Sequence, residues 1–248
     1  MALNTRVLSF VPVLLVPVLL VTVLGLAGCG STPEPEAGGS GALPGRPAPL
    51  RVGNPIAEAD EFIAARHLKP GGGAWRETLP APVQFGFPEK QRVTWRLETT
   101  KGVMEFGLWH EVAPLHVSMI VYLTRLGFYD GLRFHRVIQG FMAQGGCPRG
   151  NGSGWPGFKL PLELKPGVGH GKMGTLSTAN MGPNSDGSQF FITFRPTPEL
   201  DRQYTAFGEI TAGLDVLRAF EAVAAPPRAR SSEPREPLLI TKASVELR

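Results

Sequence analysis

The chain has 248 residues, 42 % of them hydrophobic, a formal net charge of +4 and two cysteines. That length supports one or two domains with a sizeable core. Two cysteines exclude a disulfide framework and a cysteine-built zinc site, and so mild a basic excess excludes an extended nucleic-acid footprint.

Arg6 precedes a nearly uninterrupted apolar run over residues 7–26, which leads into Leu26-Ala27-Gly28-Cys29. A basic start, an apolar run and small residues before a cleavage point form the order of a secretory signal. The segment resembles a bacterial lipoprotein signal, because a thiol directly after two small residues suits diacylglyceryl transfer to sulfur and cleavage before Cys29. Residues 1–28 are therefore read as signal peptide and Cys29 as the lipidation site. This places the mature protein in the bacterial cell envelope, lipid-anchored, on the periplasmic or extracytoplasmic face. The competing reading is a transmembrane anchor, since the run is long enough to span a bilayer. Pro12 and Pro17 count against a continuous spanning helix.

Residues 29–49 are Gly, Ser, Pro, Ala and Glu with almost no large apolar side chain, a composition that cannot bury enough surface to order itself. They read as a flexible tether. Asn54-Pro55 then marks a helix start over residues 56–68, with Asn54 as N-cap, Pro55 at the first helical position, and Ile56, Ala59, Phe62 and Ile63 on one side. Pro70 and the glycines after it are the expected stop. Residues 74–91 show no period, and 50–91 together read as an extension packed against the following domain.

Residues 92–109 alternate as two strands about a Thr-Lys-Gly turn, a hairpin pattern. Residues 113–127 carry Leu115, Met119, Ile120, Leu123 and Leu126 at helical spacing before Gly127. Short strands between Gly and Pro turns follow, then a second short helix over 214–223 and a closing strand over 237–247. Arg228, Arg230 and Arg235 lie among prolines, serines, Glu233 and Glu236, the composition of a solvated loop and not of a nucleic-acid surface. Short, evenly spaced strands with few helices predict a mainly β barrel and not a βαβ sheet.

Two segments carry chemistry: residues 134–146, FHRVIQGFMAQGG, and residues 174–191, GTLSTANMGPNSDGSQFF. Alternation puts Phe134, Arg136 and Ile138 on one face and His135 and Val137 on the other. Arg136 cannot enter a dry core unpaired, and Gln144 is its expected partner. Gln189 and Phe191 share a face, with Phe190 and Ile192 on the other. The glycine-rich stretches meet neither GxGxxG nor GxxxxGK[ST], so no dinucleotide or phosphate loop is read. The histidines show no metal-ligand pair spacing.

Both segments resemble the cyclophilins, the peptidyl-prolyl cis-trans isomerases, over residues 92–248. The resemblance implies a closed eight-stranded antiparallel β-barrel capped by two helices, acting on proline-containing polypeptides as a monomer, without cofactor or metal. It implies that Arg136 donates to the prolyl nitrogen and that Phe141, Met142, Phe191 and Leu200 form the proline pocket. Gly152 lies beside that pocket, Ala179 and Asn180 pair with the substrate main chain, Gln144 and Gln189 serve the site, and Tyr204 stands at the rim. The chain departs from the family pattern at Gln139, usually proline, Cys147, usually aspartate, Glu199, where a tryptophan contacts cyclosporin in well-known members, and Tyr204, often histidine. Met119 and Ile120 stand where Asn-Phe is common. A different function class is also open: a chaperone-like module that binds extended proline-containing segments and isomerises them only incidentally.

Overall fold

The computed structural model describes residues 50–226 and 231–248. The expected signal peptide, the tether with Cys29, and Arg228 and Arg230 lie outside the described residues.

The hairpin pairs β1 (Val93–Thr99) with β2 (Gly102–Leu108), setting Trp95 against Phe106 and Leu97 against Met104, all fully buried. The turn closes because Thr99 Oγ1 donates to Gly102 O at 2.7 Å while Gly102 takes a φ of +128°, open to glycine without a steric cost. Six further strands follow: β3 (Arg136–Ile138), β4 (Met142–Gly145), β5 (Thr175–Thr178), β6 (Phe190–Thr193), β7 (Ala206–Ala212) and β8 (Ile240–Leu247). They form one antiparallel sheet in the order β3-β4-β6-β5-β7-β2-β1-β8.

The expected closed barrel is corrected to an open, curled sheet, because β3 and β8 are its two edges and no ladder joins them. β3 is three residues long and engaged on one side by β4, so it cannot complete a ring. The residues just before it bridge part of the gap, with Phe134 N donating to Leu238 O at 2.9 Å and Ile240 N to Leu132 O at 2.8 Å. The described residues hold three helices: α1 (Pro55–Ala65), expected in the extension, and the two expected with the sheet, α2 (Pro114–Arg125) and α3 (Leu214–Ala222). The second packs against β8 and the third against β2, β3 and β4.

α1 begins as its residues dictate, with Asn54 Oδ1 accepting from Ile56 N and Ala57 N. It stops at Ala65, short of Leu68, because His67 turns left-handed at φ 52°. Leu68 N then reaches Ile63 O and His67 N reaches Ala64 O, a Schellman closure made without glycine. α2 is buried on all sides from His116 to Thr124. Residues 50–91 supply part of that cover, as Phe62 meets Tyr122 edge-on at 5.0 Å and Phe85 N donates to Ser118 Oγ, while Phe87 stacks on His110 ahead of the helix at 4.7 Å. Among the described residues no helix is long and apolar enough to cross a membrane.

Candidate active site

Gly140, at φ +67°, turns the chain between β3 and β4, so that Arg136 pairs with Gln144 and Ile138 with Met142. Directly opposed residues on antiparallel strands share a face, and the expected partnership forms: Arg136 Nη1 donates to Gln144 Oε1 at 3.2 Å. Gln144 Nε2 in turn donates to Gln189 Oε1 at 3.0 Å. Gln189, almost fully buried, spends both its N–H groups on the carbonyls of Gly152 and Gly154, at 2.9 and 3.0 Å. A relay of neutral amides thus ends on one half-buried guanidinium, and among the described residues no carboxylate pairs with it. Burial lowers the Arg136 pKa from its usual value, opposed by Tyr204, so the charge is held where solvent does little to satisfy it.

The alternation inferred for residues 134–138 is corrected at its first residue. Phe134 is fully buried, edge-on to Phe190 and Phe220, whereas Arg136 and Ile138 are half-buried. The strand starts only at Arg136, so a two-residue period does not extend back to Phe134.

Beside the guanidinium lie the expected apolar residues. The Phe141 ring centre is 6.0 Å from Arg136 Cζ, and Met142 Sδ is 3.8 Å from Nη1. Met142 and Phe191 are buried to 2 % and 5 % exposure yet stand apart from the continuous core that takes Phe190 and Ile192, so they line a second apolar surface. Tyr204 meets Phe191 edge-on at 5.5 Å. Leu200 is half-buried at the end of a short 3-10 turn, four residues before the rim tyrosine, and Glu199 beside it is exposed and paired with Arg195.

Gly152, at φ +87°, has no room for a larger residue without meeting His135 Nε2 at 3.2 Å. Ala179 and Asn180 follow β5 half-exposed; Ala179 N is taken by Gln189 O at 2.9 Å, and Asn180 Nδ2 donates to Gln203 O. The expected residues joined by these contacts therefore gather about β3, β4, β5 and β6, with Leu200 placed only by its turn ahead of Tyr204. A cavity of about 410 Å³ is lined by His135, Arg136, Gln144 and Gly152. A larger one, about 1050 Å³, lies behind Tyr204 and Asp201 and shares only the tyrosine with the expected set. The smaller cavity is lined by three of the expected residues, Arg136, Gln144 and Gly152, and by Glu233, but by none of Phe141, Met142, Phe191 or Leu200.

Sequence reasoning missed the support beneath Phe191. His170 is fully buried and stacks on that ring at 5.7 Å, with Nδ1 at 2.9 Å from Asp201 Oδ1 and Nε2 at 3.0 Å from Ser177 Oγ. Burial lowers its pKa against the pull of Asp201, and Ser177 Oγ in turn donates to Thr205 O at 2.8 Å, tying the ring to the strand beneath it. A search for chelating histidine pairs passes over a ring used as a packing floor.

It also missed a buried charged cluster. His116 Nδ1 lies 2.6 Å from Glu163 Oε2 and Nε2 lies 2.9 Å from Asp186 Oδ2, all three side chains essentially without solvent. Burial alone would lower the imidazole pKa, but the two carboxylates overcome it and raise it to about 9. Asp186 also accepts from the hydroxyls of Thr178 and Thr205 at 2.7 and 2.8 Å. Those threonines adjoin Ala179 and Tyr204, so the cluster ties the segments that carry these two residues to α2.

Residues 94–245 match the family described as cyclophilin type peptidyl-prolyl cis-trans isomerase/CLD. Similar proteins include a peptidyl-prolyl cis-trans isomerase of Synechococcus elongatus, 51 % identical over 113 residues, covering 46 % of this chain and 77 % of that one. Peptidyl-prolyl cis-trans isomerase B of Bacillus subtilis is 46 % identical over 115 residues, covering 46 % of this chain and 80 % of its own. A cyclophilin-type isomerase of Cryptosporidium parvum superposes with a TM-score of 0.59 at 30 % identity, over 62 % of this chain and 98 % of that one, and was also solved in the presence of the dipeptide Ala-Pro. The match spans the strands that carry Arg136, Gln144, Gln189 and Phe191, and the chain belongs to the cyclophilin-type peptidyl-prolyl cis-trans isomerases.

Proposed function

We propose that the protein accelerates rotation of X-Pro bonds in proteins of the bacterial cell envelope, with Arg136 as the catalytic donor and Cys29 as its lipid anchor. The observation that carries the catalytic part is the guanidinium without a carboxylate partner among the described residues, oriented by Gln144 beside Phe141 and Met142. An X-Pro bond turns slowly because amide resonance sets a barrier of about 18 to 20 kcal/mol. Bringing an event of about 100 s to about 1 ms takes five decades, or about 7 kcal/mol.

The proline ring enters the surface formed by Phe141, Met142, Phe191 and Leu200, with Tyr204 at its rim. Since Ala179 N–H is committed to Gln189 O, the main chain of Asn180 is the part offered to the substrate backbone. As the C–N bond twists, the prolyl nitrogen regains its lone pair, and an Arg136 N–H donates to it. That hydrogen bond strengthens only in the twisted state, which is the condition for lowering the barrier. The guanidinium does not titrate in the working range, so no proton has to be moved.

A protease-free exchange assay on an X-Pro peptide tests the mechanism: Arg136→Ala is expected to lose most of the acceleration, and equal rates for variant and wild type would refute it. Mass spectrometry of the mature N-terminus tests the anchor, an unmodified Cys29 removing it. Envelope action is supported by the leader pattern of residues 1–29.

A further inference from the structure

Residues 50–91 lie outside the family match, yet one piece of them reaches the loop behind the arginine. The 3-10 turn Trp75–Glu77 is fastened to the body by Arg76, whose guanidinium donates to Phe128 O and Asp130 O, each at 2.8 Å. From that fixed turn, Leu79 N donates to Pro156 O at 3.0 Å and Glu77 Oε1 accepts from Arg149 Nε at 2.7 Å. Gly157, at φ +100°, lies so close that a Cβ there would meet Leu79 N at 2.7 Å and Glu77 O at 2.9 Å. The contact is main chain against main chain, across loop residues 149–157.

That loop reaches the amide relay through two carbonyls. Its carbonyls at Gly152 and Gly154 accept both N–H groups of Gln189. Inside, the loop is organised by Gly154 N donating to Cys147 Sγ and by Asn151 Oδ1 accepting from Ser153.

The polarity of the relay follows from those two carbonyls. With its amide nitrogen committed to the loop, Gln189 must present Oε1 to Gln144 Nε2, and Gln144 must then present Oε1 to Arg136. If the loop shifts and Gln189 turns over, two amide nitrogens face each other. Gln144 must then turn as well, and Arg136 meets a second donor in place of a carbonyl.

We propose that residues 77–79 are a positioning element for Arg136, holding the loop whose carbonyls set the direction of the Gln189–Gln144–Arg136 relay. This rests on the reading of Arg136 as the catalytic donor. It assigns to the extension a part in the isomerisation itself.

The test uses the full mature chain and an X-Pro peptide, with kcat and KM measured separately beside denaturant unfolding. Glu77→Arg and Arg149→Glu each place like charges together and are expected to lower kcat about three- to tenfold, with KM changed less than about twofold. The double exchange restores the ion pair and is expected to return kcat to within about twofold of wild type. Gly157→Ala is expected to lower kcat in the same manner, and the charge variants decide the matter if it does not fold. Arg136→Ala belongs in the same series. If it is as fast as wild type, the catalytic reading and this one both fall. If it is slow while the charge variants keep kcat, lose only KM, or are not rescued by the exchange, the positioning role alone is overturned.

Discussion

The Arg136–Gln144–Gln189 relay and the His116–Glu163–Asp186 cluster both support the substrate groove from within, and they are built from opposite materials. The relay is a chain of neutral amides carrying one half-buried charge at its end. The cluster sets one imidazole between two carboxylates, with almost no solvent at any of them. Burying charges costs more than their attraction commonly returns, so such a cluster holds only while every member keeps its partner. Amides have no such dependence on protonation. The relay itself thus contains no carboxylate or imidazole, though His135 and Glu233 line the cavity beside Arg136, and the His116 cluster joins strands, where a fixed distance matters.

The sharpest break of that contrast is His116→Ala. It leaves the Glu163 and Asp186 carboxylates buried without their cation, and a loss of about 3 to 5 kcal/mol of stability is expected. Urea unfolding measures it, and a loss under 1 kcal/mol would mean that the cluster does not hold the groove. Arg136→Ala should do the reverse: kcat falls about 10²- to 10³-fold, the range for removing a preorganised donor, while unfolding is little changed. Gln144→Leu is smaller, since the arginine stays but its orienting hydrogen bond goes; about tenfold in kcat is expected, from about 1.5 kcal/mol for a bond to a charged group. A Gln144→Leu enzyme at the wild-type rate would show that the guanidinium needs no orientation.

How far each network could be read from the chain differs for a physical reason. Arg136 and Gln144 face each other across one tight turn, so alternation and a short connection bring them together without knowledge of the rest of the fold. Gln189 and Phe191 are separated from Phe190 and Ile192 by the same two-residue period. His116, by contrast, is 47 residues from Glu163 and 70 from Asp186, and only the curled sheet joins them. The failures have the same origin. Carrying the strand period beyond the strand puts Phe134 with Arg136, and a stop at Pro70 overlooks the left-handed turn that His67 adopts. Ring closure was expected from strand number and spacing, but it depends on whether the short β3 can pair on both sides, which no local pattern states.

A pH titration sets the two networks against each other in one sample, with the smallest effect expected per unit of change. His116 carries a folded pKa of about 9 against an ordinary 6.5. A raised cationic pKa stabilises the native state fully below the unfolded value, and that contribution declines as the pH climbs through the interval, at about 1.4 kcal/mol per unit at most. Unfolding free energy should therefore fall between about 6.5 and 9 and level off beyond, with His116→Gln, which cannot be protonated, losing most of the slope. The relay contains no group that titrates in that interval, so kcat should stay flat over it while the folded state persists. A kcat that declined in step with stability would mean that Thr178 and Thr205 move as the imidazole loses its proton and carry the motion into the groove, making the two networks one.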